Sequence, residues 1–283
     1  MDPLSQPPPF LEPVQLSSHL YVVLAEFPHR SSANAYLITG EHPTLIDCGS
    51  QAGFPVLVRS LSQIGVEIGD IAHVIATHGH YDHIQGIHSL RQHRPDLQLL
   101  IHERDWRMVQ SGDPYRTAAV VYGRDFTPIP AEGCQALVKG EEIAAGDGSL
   151  TVHHTPGHTD GSICLAGSID GVDVLFTGDT VFGAMSGLLG ADITIWTRAF
   201  EAWHQSLTDI ASLDFDIFLP GHEPFWDLPL KKERLTRVLP YFGRMFNPWF
   251  ALSEDESGAP DNVVLPQVEP SPDAASTATS PSP

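Results

Sequence analysis

Between positions 77 and 83 the chain reads Thr77-His78-Gly79-His80-Tyr81-Asp82-His83, three imidazoles and one carboxylate within six residues. In an extended segment, side chains two apart point the same way, so His78 and His80 can grip one ion together. Asp82 and His83 then turn into a following helix and can face a second ion. Neutral imidazole combined with carboxylate suits zinc, iron or manganese. A merely solvated loop has no use for so dense a set of donors.

Three further segments share one plan: an apolar strand, a glycine, then one side chain able to bind a metal. They are Thr155-Pro156-Gly157-His158-Thr159, Phe176-Thr177-Gly178-Asp179-Thr180 and Leu219-Pro220-Gly221-His222-Glu223. Glycine lets the backbone turn sharply and present the next side chain into a shared cleft. Any one of the three would pass for an ordinary turn. Three in order behind the histidine-rich segment point to one constructed site.

The elements that must position these residues can be read from periodicity. Residues 20–24, 36–39 and 44–46 are rich in β-branched and aromatic types and predict strands, with a turn at 40–43. Val56, Leu57, Leu61 and Ile64 recur at helical spacing and stop at Gly65. Residues 71–77 read as a buried strand that runs directly into His78. Ile84, Ile87 and Leu90 mark the next helix, ending before Pro95. A strand at 97–101 and a short helix at 103–110 follow. Residues 111–140, with Tyr115, Tyr122 and Phe126, read as an irregular insertion. Beyond it, strands are expected at 150–154, 162–166, 172–176 and 215–219. Phe200, Trp203, Leu207 and Ile210 share one helix face, and 235–246 predicts a last helix. Strands with interspersed helices argue for a layered α/β or α+β domain.

In combination these residues resemble the metallo-β-lactamase-fold hydrolases, most closely their glyoxalase II-like branch, over roughly residues 18–230. The resemblance implies a four-layer αβ/βα sandwich of two mixed sheets, with metal at the edge where the sheets meet. It implies that His78, His80 and His158 bind a first ion, that Asp82, His83 and His222 bind a second, and that Asp179 bridges them. Asp82 and Asp179 are then the candidate catalytic carboxylates. Asp47, in Leu45-Ile46-Asp47-Cys48-Gly49, matches the family's early acidic motif and would support the metal loop from behind. The implied cofactors are two divalent metal ions, zinc first, with iron and manganese accepted by the same donors. Met by two carboxylates and a bridging hydroxide, such a centre keeps a charge of about +1 and lowers the pKa of bound water towards roughly 7. It also polarises a scissile carbonyl and stabilises the developing oxyanion. The implied activity is hydrolysis of a small thioester, ester or lactone.

Departures from other branches narrow the expectation. Class B β-lactamases usually carry Cys or Ser near the second metal and an export signal, whereas this chain has Asp179 and an N-terminus unlike a secretory signal. Flavodiiron-type members place Glu where His80 stands. Acyl-homoserine lactonases typically add a tyrosine three residues after the bridging aspartate, a position held here by Phe182. Lys231, Lys232, Arg234 and Arg237 read as a solvated helix face rather than a glutathione clamp. The alternatives are a lactone hydrolase of the acyl-homoserine type, an iron-dependent persulfide dioxygenase using His78, His158 and Asp179, and a binding protein that keeps metal as a staple. Tyr122, Phe182, Met185 and Trp196 are candidates to line the substrate cleft.

Composition bounds the rest. At 283 residues and 42% hydrophobic, the chain can bury a sizeable core. Its net charge of −20 repels phosphate backbones, so nucleic acid is not an expected partner. Residues 251–283 hold six acidic and no basic residues among Pro, Ser and Ala, and predict a disordered acidic tail. Residues 1–13 read as a flexible arm, leaving 14–250 as the catalytic domain. Cys48, Cys134 and Cys164 form no disulfide framework or metal spacing and are expected to be buried as small apolar side chains. With no run of 18 apolar residues, the expectation is a cytoplasmic protein acting on a small-molecule substrate, without a membrane partner.

Overall fold

Alternating apolar side chains build two mixed sheets that pack face to face. In the computed structural model, which describes residues 12–25, 32–181, 199–222 and 228–238, the first sheet holds seven strands in chain order. These are β1 (Val14–Gln15), β2 (Leu20–Leu24), β3 (Ala35–Ile38), β4 (Thr44–Ile46), β5 (His73–Ile75), β6 (Gln98–His102) and β7 (Cys134–Leu137). Pairing is antiparallel as far as β4 and parallel from β4 to β7. The second sheet runs β8 (Glu142–Ala145), β9 (Gly148–His154), β10 (Ile163–Ile169), β11 (Val172–Gly178), β12 (Ile217–Pro220) and β13 (Leu230–Lys231). There only the β11–β12 pair is parallel.

The two-residue period sorts each strand between two cores. Val22, Tyr36, Ile46, Ile75 and Leu100 of the first sheet meet Val152, Leu165, Val174, Phe176 and Leu219 of the second. Their neighbours Val23, Leu37, Leu45, Val74 and Leu99 point outward. They pack under α1 (Phe54–Ile64), α3 (Ile87–His93) and α4 (Glu103–Ser111) through Leu57, Leu61, Leu90, Met108 and Val109. On the far side, Cys164, Leu175 and Phe218 pack against Trp203, Leu207 and Ile210 of α5 (Ala199–Ala211) and Leu235 of α6 (Lys232–Val238). The order of layers is therefore helix, sheet, sheet, helix, as expected.

Several expected boundaries shift for physical reasons. The strand expected at 71–77 pairs only over β5, because the Thr77 N–H leaves the ladder and donates to Asp47 Oδ1 at 2.8 Å. The helix expected around residues 84–90 is split into α2 (Tyr81–Ile84) and α3 at Gly86. A Cβ at Gly86 would lie 2.2 Å from the Cys48 carbonyl oxygen, so only glycine allows that approach. The stretch read as irregular contains β7, and β8 follows it. Cys48 and Cys164 are buried as expected, but Cys134 is only half-buried on β7.

Of the expected arm, only Glu12 and Pro13 belong to the described residues. The tail at 251–283 and most of the expected last helix lie outside them. Among the described residues no helix is long and apolar enough to cross a membrane.

Candidate metal centre

Parallel pairing of β4, β5 and β6, and of β11 and β12, brings the carboxyl ends of these strands to one edge of the sandwich. There the chain leaves β5 into His78 and His80, and α2 supplies Asp82 and His83. His158 follows β9, Asp179 follows β11 and His222 follows β12. The glycines before them do two different jobs. Gly157 and Gly178 take positive φ, 147° and 47°, which turns the backbone as anticipated. Gly221 is needed for close approach instead, since a Cβ there would lie 2.3 Å from Asp179 Oδ1 and 2.6 Å from His83 Cε1.

All seven expected side chains are buried and fall into two groups whose potential ligand atoms lie within 4.8 Å of one another. The first group is His78, His80, His158 and Asp179; the second is Asp82, His83 and His222. Within the first, His158 Nε2 stands 2.9 Å from His80 Nδ1 and 3.2 Å from Asp179 Oδ2. Within the second, His222 Nε2 lies 3.1 Å from Asp82 Oδ2 and 3.3 Å from His83 Nε2. Asp179 Oδ2 also lies 3.3 Å from His222 Nε2, so one carboxylate oxygen touches both groups.

The donor set fits cations. Buried His78 Nε2 has no hydrogen-bond partner among the described residues and stands 3.9 Å from Asp179 Oδ2. Two imidazole nitrogens held 3.3 Å apart, as in His83 and His222, need a proton or an ion between them. Burial, reinforced by the neighbouring imidazoles, holds the His78 pKa well below its usual value and lowers that of His80 to about 3. Both rings therefore offer neutral lone pairs. Burial disfavours the Asp179 carboxylate, yet His222, His83 and His158 outweigh it and keep its pKa well below the usual range. Asp82 is likewise lowered against its burial, by His83 and His222. Burial would also lower His83, but Asp179, Asp47 and Asp82 push it up to about 10.

Asp47, in a left-handed turn (φ 57°) just after β4, braces this edge. Its Oδ2 accepts from Thr77 Oγ1 and from His83 Nδ1, each at 2.8 Å. With Nδ1 occupied in this way, His83 presents Nε2 to the site. Asp47→Asn removes the charge behind His83 and is expected to weaken metal binding by about 10- to 100-fold, measured by competition with a chelator.

Asp105 was not anticipated. It lies in the first turn of α4 and accepts from Gly79 N–H (2.8 Å), Gly161 N–H (2.7 Å) and Thr159 Oγ1 (2.8 Å). One carboxylate thus ties the His78–His80 segment to the loop that carries His158. Burial raises its pKa to about 6, against the pull of those three hydrogen bonds. The available signal was a charged residue on the apolar face of α4, in line with Met108 and Val109. Asp105→Ala would strand two buried amides and is expected to cost about 3 kcal/mol or more, read by chemical denaturation.

Other histidines stand apart. His102 and His154 stack face to face at 4.1 Å, and His204 is exposed on α5. Tyr122, expected to line a substrate cleft, directs its hydroxyl at Asp82. Phe182, Met185 and Trp196 lie outside the described residues.

Residues 30–222 match the family profile described as the metallo-beta-lactamase superfamily, well over half of the chain. The chain belongs to that superfamily. Relatives of this superfamily member include hydroxyacylglutathione hydrolase of Aeromonas hydrophila, 31% identical over 63% of this chain and 55% of the relative. Another is acyl-coenzyme A thioesterase MBLAC2 of Gallus gallus, 29% identical over 53% of this chain and 58% of the relative. Among solved structures, BJP-1, a subclass B3 metallo-beta-lactamase of Bradyrhizobium japonicum, superposes with a TM-score of 0.59. It covers 85% of this chain and 87% of its own at 19% identity, a likeness of fold alone.

Proposed function

We propose that the chain is a dinuclear zinc hydrolase whose substrate is a small thioester with an apolar acyl group. The observation that carries this reading is Asp179 Oδ2, held between His158 Nε2 and His222 Nε2, with all seven side chains converging around it. In it, His78, His80 and His158 hold one ion, Asp82, His83 and His222 hold the other, and Asp179 serves both. When bound, the ions supply Lewis acidity for a carbonyl oxygen and acidify water at neutral pH. The protein's part is to keep Asp82 and Asp179 ionised, the imidazoles oriented and the donors buried. Their low pKa values mean that neither carboxylate needs to lose a proton at pH 7.

The leaving group favours a thioester. A thiol has a pKa near 8.5, so a thiolate departs at neutral pH with little help, whereas an alkoxide needs a proton. Position 182, where lactone-cleaving members usually carry tyrosine, is phenylalanine. Two relatives are named for thioester substrates, hydroxyacylglutathione and acyl-coenzyme A. The insertion also exposes Tyr115, Val120 and Val121 beside Tyr122, an apolar surface suited to an acyl chain.

The test is a panel of acyl thioesters, esters and lactones, assayed for free thiol or acid with metal-loaded protein. Thioesters are expected to turn over fastest, with kcat/KM rising as the acyl chain lengthens. Faster turnover of lactones than of thioesters would overturn the substrate assignment.

A further inference from the structure

Residues 113–128 of the insertion are fastened to the segment that carries Asp82 and His83. The Tyr81 N–H donates to Thr117 O at 2.8 Å. Gln85 Nε2 donates to Thr127 O at 3.0 Å, and the Thr127 N–H returns a bond to Gln85 Oε1 at 3.1 Å. Between these anchors a single 3-10 turn, Ala119–Tyr122, is entered through left-handed Ala118 and closed by Gly123. Its last residue, half-buried Tyr122, leans on Tyr81 with ring centroids 5.7 Å apart. From there Tyr122 Oη donates to Asp82 Oδ2 at 2.6 Å.

The oxygen that accepts this bond is the one facing the second group: it lies 3.1 Å from His222 Nε2 and 3.9 Å from His83 Nε2. An ionised carboxylate oxygen has two lone pairs, so it can accept from the phenol and still ligate an ion. Asp82 sits on a helix of only four residues, and side-chain contacts must set its carboxylate's orientation, His222 Nε2 from within the site and a second partner from outside it. The phenol does so from outside the strand-end loops that supply the other donors.

We infer that Tyr122 is a positioning residue for the second metal ion. By donating to Asp82 Oδ2 it sets the carboxylate's orientation, so the insertion completes a site whose ligands all come from elsewhere. This rests on the dinuclear reading above, and it assigns the hydroxyl to the metal site rather than to a substrate.

The experiment is a zinc titration of metal-free protein against a competing chelator, for the parent and for Tyr122→Phe, with bound zinc counted after dialysis. Removing the one oxygen is expected to weaken the second zinc by about 10- to 100-fold and leave the first unchanged. The metal-free variant should keep the parent's circular dichroism spectrum, and thioester turnover should recover as free zinc is raised. Unchanged zinc affinities, within twofold, would overturn the inference, as would a rise in KM that excess zinc does not reverse. A parent that binds only one zinc would overturn the dinuclear reading along with it.

Discussion

Asp179→Ala is expected to abolish hydrolysis while the chain still folds. Its Oδ2 lies 3.2 Å from His158 Nε2 of the first group and 3.3 Å from His222 Nε2 of the second, and its Oδ1 lies 3.2 Å from His83 Nε2. Losing Asp179 would remove the one carboxylate among the described residues that faces both candidate ligand groups, and with it negative charge that two bound cations would share. A loss of several kcal/mol of transition-state stabilisation corresponds to about a thousandfold in kcat/KM. The check is a steady-state assay at saturating zinc, with circular dichroism to confirm the fold. Activity within tenfold of the parent would contradict the bridging role.

Removing the metal is the second large effect. Without ions, His78 Nε2 and His80 Nε2 are left buried with no hydrogen-bond partner among the described residues, and imidazole nitrogens face one another at 2.9 and 3.3 Å, an arrangement that costs stability. A ligand present at about a thousand times its Kd stabilises the native state by about 4 kcal/mol. For a domain of this size that is roughly 10 °C in melting temperature, which chelation should remove together with activity.

The metal-free state also has a defined pH response. His83 titrates near 10 in the fold against 6.5 unfolded, so its contribution to stability is complete below pH 6.5 and is lost as pH rises through about 10. His78 and His80 act in the opposite direction, and stability falls as pH drops below 6.5 because the unfolded chain then binds more protons. An ion must displace the His83 proton, so zinc affinity should rise about tenfold per pH unit between 6.5 and 8.5. Calorimetry in buffers of different ionisation enthalpy would count that proton, and a flat affinity over this range would contradict the assignment.

The seven candidate donors could be picked out because they stand in short motifs just after apolar strands, with Asp82 and His83 in the helical turn that follows His80. Asp47 was picked out through the family resemblance of Leu45-Ile46-Asp47-Cys48-Gly49. Asp105 was not, since it acts 26 residues from Gly79 and 54 from Thr159, distances that no periodicity spans. Tyr122 was singled out as an aromatic in the insertion, but its partner lies 40 residues away and only the folded chain brings them together. β7 and β8 were missed because they are edge strands of only four residues: β7 buries Leu137 alone, and β8 alternates but over just Ile143 and Ala145. The split between α2 and α3 turns on one backbone approach, of Gly86 to Cys48, that composition does not announce.

The most direct test is acid release in a pH-stat, with zinc-loaded protein and an acyl thioester, run beside a chelated control and Asp179→Ala. Turnover that disappears with chelator, returns with zinc and is absent in the variant is the expected result. Turnover that survives both chelation and the substitution would contradict a metal-dependent hydrolase built on Asp179.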